Sequence, residues 1–399
     1  MPYHGQSMPA PHPSSALQEA FEHQDELFAP AFAILQEAIN HQAFPAASIA
    51  VTHQGSLVAL KALGSFTYKP GVPFLASSAR KPAVSWPKGG DFPAHPSTLF
   101  DLASLTKVVA TTPTAMLLYQ RGLLDLDAPL SAIIPEFTTD AAKDPRRHEV
   151  TIRMLLAHSS GLPAHEKFFL KARTRAELLQ AAFTTPLAAN PATRADYSDV
   201  GFIIFGIALE RLADESLDRF CQREVFAPLG MTHTTFNPPL ELRAKIPPTA
   251  DDETFRGRLI QGEVQDENAS IMGGVAAHAG LFSTAEDLAK FAQALLNNGS
   301  PILRPETVAL FTRRESAPPG TSRALGWDTR SAPSQSGKYL SPQSFGHLGY
   351  TGTSLWIDPI RQLSVTLLTN RTWPNCSDQS IKQIRPKFHD AVIEALDLQ

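Results

Sequence analysis

Ser104 and Lys107 stand three residues apart, the spacing at which two side chains share one face of a helix and an amine can reach a hydroxyl. A serine is a weak nucleophile until a base takes its proton, so the pair describes covalent catalysis at an acyl group. Tyr197-Ser198-Asp199 adds a tyrosine with a polar residue two positions on. On an extended segment those two side chains point the same way, and the phenol can serve as a second proton carrier. His347-Leu348-Gly349-Tyr350 lies in a glycine-rich strand, where backbone N–H groups can come close to a reacting carbonyl. Nucleophile, base, proton shuttle and oxyanion donors are what acyl transfer requires.

Context separates Ser104 from two other Ser-x-x-Lys matches, Ser78 to Lys81 and Ser85 to Lys88. Pro70, Pro73, Pro82, Pro87, Gly89 and Gly90 surround those two, and such residues break helices. Ser104 instead opens an apolar stretch, Leu105 to Leu118, that reads as a largely buried helix, kinked near Val109 by Pro113. At a helix start the unpaired N–H groups and the positive end of the dipole favour an oxyanion. Lys107 can accept the serine proton if burial lowers its pKa. An ionised Asp199 bonded to it would raise that pKa, so Lys107 and Tyr197 are treated as a coupled pair.

Taken together, the strings resemble the serine β-lactamase and penicillin-binding superfamily, in particular class C β-lactamases, DD-peptidases and related esterases. Leu155 to Leu162 and Gly273 to Thr284 match as well, and the likeness runs from about Phe44 to the C-terminal helix. The resemblance implies Ser104 as nucleophile, Lys107 and Tyr197 as proton carriers, and an oxyanion hole from the N–H groups of Ser104 and Tyr350, with Gly349 allowing close approach. It also implies a substrate-binding role for Asp199 and His347, and no cofactor or metal. Three positions depart from the family pattern: Asp199 stands for Asn, His347 for Lys, and Leu348 for Thr or Ser. They bear on the substrate. The plainer readings are a Tyr197 that caps a lobe interface, a His347 solvated at a strand end, and a His158 and His278 that satisfy nearby backbone.

With 399 residues, 35 Lys and Arg against 39 Asp and Glu, and a formal charge of −4, the chain is long enough for two lobes and has no footprint for nucleic acid. Cys221 and Cys376 fit no metal spacing or disulfide framework and are expected to be free thiols. The polar, proline-rich Met1 to Ser15 is not a secretory signal, and no run is long enough to span a membrane. A cytoplasmic protein is expected, or a periplasmic or secreted one if the true N-terminus is missing.

The elements that must position these residues follow from periodicity. After a mobile leader (1–27), Ala16 to Gln42 reads as helical, so leader and helix overlap. Ser48 to Thr52 and Ser56 to Leu63 read as a hairpin around Gln54-Gly55. Tyr68 to Ser97 reads as a long loop, and Ser283 to Glu286 as a capping box opening a helix closed by Asn297-Asn298-Gly299. Strands return at Leu325–Thr329, Phe345–Leu348, Ser354–Ile357 and Leu363–Asn370, before a helix from Ser380 to Leu396. The expected fold is α/β (α+β) and β-lactamase-like. N- and C-terminal segments (28–100 and 320–399) share one antiparallel sheet with flanking helices, and an all-helical lobe (104–300) is inserted. The expected activity is a serine hydrolase on an ester or amide, with a small-molecule or peptidoglycan-derived substrate. The alternatives are a true β-lactamase or D-alanyl-D-alanine carboxypeptidase, and a penicillin-binding sensor that turns over little.

Overall fold

A computed structural model describes residues 17–68, 92–139 and 143–398. Seven strands form the main sheet: β1 (Gln18–Glu19), β2 (Ala46–His53), β3 (Ser56–Gly64), β4 (Asp328–Thr329), β5 (Phe345–Leu348), β6 (Ser354–Asp358) and β7 (Leu363–Thr369), in the order β1-β3-β2-β7-β6-β5-β4. N- and C-terminal segments meet where β2 pairs antiparallel with β7, from Leu363 opposite His53 to Thr369 opposite Ala47. All pairings in this sheet are antiparallel except β1 with β3. The β2–β3 hairpin turns on Gln54 and Gly55, both with positive φ, which a two-residue turn between right-twisted strands requires.

Helices α1 (Ala29–Asn40) and α5 (Ile381–Ala395) pack on each other over one face of the sheet. Phe28, Leu35, Phe44, Trp356 and Phe388 close the apolar layer between them. Helix α4 (Ala285–Leu296) covers the other face, against β2 and β7. Its N-cap is Thr284, whose hydroxyl accepts from the Asp287 N–H. A helix that packs on this sheet belongs with the sheet lobe, so the helical lobe ends before residue 300.

Three further differences have local causes. The leader and N-terminal helix give way to strand and two helical pieces: Gln18–Glu19 pairs with Ser56–Leu57, Gln24–Leu27 forms one turn, and Pro30 starts α1 afresh after Phe28. Residues 17–27 are therefore part of the fold and not a mobile leader. The intervening stretch, expected to be all-helical, also holds two small sheets. In one, Leu281–Ser283 lies between Phe100–Asp101 and Thr235–Phe236; in the other, Pro248–Asp252 pairs with Arg258–Gln261. Strands of two to five residues are too short to show alternation. The Leu325–Thr329 strand shrinks to Asp328–Thr329 for a similar reason, Gly326 interrupting it at a positive φ. Residues 1–16 and most of the 68–97 loop, with the Ser78 and Ser85 matches, lie outside the described residues. Among the described residues no helix is long and apolar enough to cross a membrane.

Candidate active site

The segment that presents Ser104 leaves the Phe100–Asp101 strand through a turn at Ala103, whose φ is +48°. A non-glycine residue there is strained by roughly 1–2 kcal/mol, and something must hold it. Asp101 does so: its Oδ1 accepts from the Ala103 N–H at 2.8 Å and its Oδ2 from the Gln265 N–H at 2.7 Å. Burial pushes this carboxyl up to about 6, against the pull of both bonds. Ser104 then sits in a 3-10 turn (Ala103–Leu105) that passes into a π turn (Lys107–Thr111) and helix α2 (Thr112–Gln120). Pro113 has no N–H for the Val109 carbonyl, and the wider π winding before it absorbs the misfit expected as a kink.

Lys107 is fully buried, and its Nζ donates to Ser104 Oγ at 3.1 Å, to Asp199 Oδ1 at 2.7 Å and to the His278 carbonyl at 3.0 Å. Tyr197 OH donates to Ser104 Oγ at 2.7 Å. Ser198 caps helix α3 (Asp199–Ala213) by accepting from Gly201 N–H, which places Tyr197 just before the helix and Asp199 at its first position. An acidic residue there is favoured by the dipole. Burial would strip the ammonium of Lys107, but Asp199 and Tyr197 more than offset it, so the lysine pKa is raised. Asp199 is mostly shielded from water, which would raise its pKa, yet Lys107, His165 and His278 hold its carboxyl well below the usual range. Burial, reinforced by Asp199, pushes the Tyr197 phenol up to about 12. The resting site is thus an ammonium–carboxylate pair beside a neutral phenol. Burial alone does not make Lys107 a free base.

His347 in β5 is buried, and its Nδ1–H donates to the Leu348 carbonyl at 2.8 Å. Burial and the nearby Lys107 and Arg323 cations pull it down to about 3, so the ring is neutral, not solvated, and leaves Nε2 as an unpaired acceptor. It cannot donate from Nε2, as a lysine in its place would. Gly349 and Tyr350 follow in the turn to β6. Tyr350 is about half exposed and lies over the Arg371 guanidinium. Gly349 admits no side chain, because a Cβ would overlap the Thr353 hydroxyl and come within 2.5 Å of the Leu102 carbonyl. Gly349→Ala therefore pushes the turn off the Ser104 segment. We expect at least a tenfold loss of hydrolytic rate, larger than any fall in melting temperature explains, and unchanged turnover would show that the turn does not matter.

One cavity of about 690 Å³ joins Ser104, Tyr197, Asp199, His347, Gly349 and Tyr350, with Lys107 sealed beneath it. Its wall also holds His165, Asp266, Glu267, Arg323, Arg371 and Lys382, none of which belongs to a spaced motif that the sequence exposes. Of the two histidines read as structural, His158 accepts from Ser198 N–H through Nδ1 and packs between Tyr197 and Phe202. His278 holds Asp266 through Nε2 and reaches Lys107 only with its main-chain carbonyl. Cys221 is buried and Cys376, on the cavity rim, is exposed; both are free.

Residues 24–385 match the family described as Beta-lactamase. Over 307 residues the chain is 34% identical to a protein of Escherichia coli (strain K12) named "Putative D-alanyl-D-alanine carboxypeptidase", covering 70% of each. Among solved structures, EstCE1, described as a hydrolase with promiscuous acyltransferase activity, superposes with a TM-score of 0.71 at 21% identity, over 92% of this chain and 99% of that one. The octameric penicillin-binding protein homologue from Pyrococcus abyssi gives a TM-score of 0.65 at 22% identity, over 89% and 75%. At these identities the two structures speak to the fold alone.

Proposed function

We propose, from the premise that this chain belongs to the β-lactamase family and is a serine hydrolase, that it cleaves an ester or amide through an acyl-enzyme on Ser104. The observation that supports this reading is a single hydroxyl, Ser104 Oγ, placed 3.1 Å from Lys107 Nζ and 2.7 Å from Tyr197 OH at the base of a cavity. The reacting form is the one in which Lys107 has lost its proton to solvent and stands as a neutral amine beside the Asp199 carboxylate. Ser104 Oγ then bonds to the acyl carbon while its proton moves to Lys107, and the carbonyl oxygen gathers charge facing the N–H groups of Ser104 and Tyr350. The bond to the leaving group breaks as Tyr197 gives that group its proton, and Lys107 reprotonates Tyr197 and is a neutral amine again. Water repeats the sequence on the acyl-enzyme and frees Ser104.

The His347-Leu348-Gly349 string bears on the substrate. A neutral His347 and a Leu348 without a hydroxyl supply no clamp for a carboxylate beside the scissile bond, and Asp199 accepts hydrogen bonds but cannot donate them. Substrates without that carboxylate, simple esters or an internal amide, fit this wall better than penicillins. The name borne by the relatives supports an acyl group drawn from a D-alanyl-D-alanine peptide. Arg323, in the cavity and 5.6 Å from the Tyr197 ring centre, favours a second reading, a carboxypeptidase, in which this cation instead holds the terminal carboxylate of the leaving residue.

Intact-mass spectrometry after brief exposure to penicillins, p-nitrophenyl esters, D-Ala-D-Ala peptides and muropeptides distinguishes these readings by the acyl group found on Ser104. A stoichiometric burst with no turnover of any ester would make the protein a sensor. His347→Lys with Leu348→Thr should shift the ratio of penicillin to ester kcat/KM upward by about tenfold or more, since a charge-assisted hydrogen bond is worth roughly 1.5–3 kcal/mol. A wild type that already prefers penicillins, with no gain in the double variant, would refute this account of the wall.

A further inference from the structure

We propose that Arg385 is a positioning residue for the oxyanion hole, holding and polarising the Gly349–Tyr350 peptide group. This rests on the reading above, in which the Tyr350 N–H is the second oxyanion donor. Arg385 comes from α5 and reaches the cavity wall beside the Gly349 turn. One of its terminal nitrogens donates to the Gly349 carbonyl at 2.9 Å and to the Thr353 carbonyl at 3.0 Å. The Gly349 C=O and the Tyr350 N–H are opposite ends of one amide. A charge-assisted bond at the oxygen draws electron density away from the nitrogen and makes its N–H a stronger donor.

The surroundings suit that role better than a structural one. Arg385 is 4% exposed, its Nε has no partner, and no carboxylate bonds to it among the described residues. Burial and the neighbouring Arg371 lower it to about 9, which still leaves a cation at neutral pH. A buried guanidinium without a counter-charge is a poor stabiliser, and an apolar side chain of similar size would serve the core as well.

The other bonds of the turn keep the polarised amide in register with the nucleophile. Arg371 Nε donates to the Tyr350 carbonyl at 2.8 Å, and Gly349 N–H to the Thr353 carbonyl at 2.8 Å. The Thr351 hydroxyl donates to the Asp101 carbonyl at 2.8 Å and the Thr353 hydroxyl to the Leu102 carbonyl at 2.9 Å. Both threonines thereby tie the turn to the strand end that leads into Ser104. The two oxyanion donors come from distant parts of the chain, yet these short bonds fix one against the other.

The test uses the full chain as wild type, Arg385→Met and Arg385→Lys. Active sites are titrated with a fluorophosphonate, and single-turnover acylation by a p-nitrophenyl ester is expressed per labelled site. A residue that only supports the fold would lower the number of active sites and leave the rate of each unchanged. We expect Arg385→Met to acylate about 10- to 100-fold more slowly per site, less than the loss of a whole oxyanion donor, with KM within about twofold and Arg385→Lys in between. Selective 15N-tyrosine labelling of the chain's 6 tyrosines should show the Tyr350 amide proton moving upfield in the Met variant. An unchanged rate per site with an unmoved Tyr350 amide would overturn the proposal. If Arg385→Met does not fold, the Lys variant decides, and a wild-type rate and amide shift there would overturn it equally. A wild type that forms no adduct at Ser104 would instead refute the assignment of the nucleophile.

Discussion

Ser104→Ala removes all covalent labelling by a fluorophosphonate or an activated ester and lowers turnover by on the order of 10⁴-fold or more, because the acyl-enzyme has no oxygen to form on. The fold should survive. Lys107 keeps its bonds to Asp199 and to the His278 carbonyl, and the Ala103 turn is held by Asp101, not by the serine side chain. Circular dichroism and melting temperature close to wild type, together with a clean loss of adduct mass, is the expected pair of results. An adduct on Ser78 or Ser85 in this variant would move the nucleophile into the proline-rich loop and sink the assignment.

Much of this site was legible because its chemistry sits in short strings. Ser104 and Lys107 announce themselves by helical spacing, Tyr197 and Asp199 by standing two residues apart, and Gly349 by its glycine-rich string. The main sheet was legible too, since β2, β3, β6 and β7 are long enough to show their pattern. What the sequence withheld has a common cause, which is that it depends on tertiary neighbours. Arg385 and Arg323 are single cations without a motif, and only the folded chain brings them to the Gly349 turn and the Tyr197 ring. Strands of two or three residues such as Phe100–Asp101 exist because a partner is present, not because of their own propensity. The charge state of Lys107 was a competition between burial and Asp199, and the balance follows from a 2.7 Å contact that spacing cannot supply.

That balance yields the other large effect. Lys107→Ala should lower acylation by about 10²- to 10⁴-fold, the range for loss of a positioned base. It should also destabilise the fold by roughly 1–3 kcal/mol, because Asp199, mostly shielded from water, loses its ammonium partner and keeps only His165 beside it. Adding Asp199→Asn to that variant should restore much of the melting temperature and none of the rate, which separates the two roles. Asp199→Asn alone tests the proton inventory. The depressed Asp199 carboxyl stabilises the fold above its usual range and loses that as pH falls; the raised Lys107 does so below its usual pKa and loses it as pH rises. The pair is therefore strongest across neutral pH, where the amine is least available as a base. In the wild type acylation should climb with pH through the alkaline range as free amine accumulates. Without Asp199 burial prevails, the lysine pKa falls, and the rising limb of the kcat/KM profile moves to lower pH. A limb that stays in place or moves to higher pH would mean that Lys107 is not the group whose deprotonation the reaction awaits, and near-wild-type acylation by Lys107→Ala would require another base for Ser104.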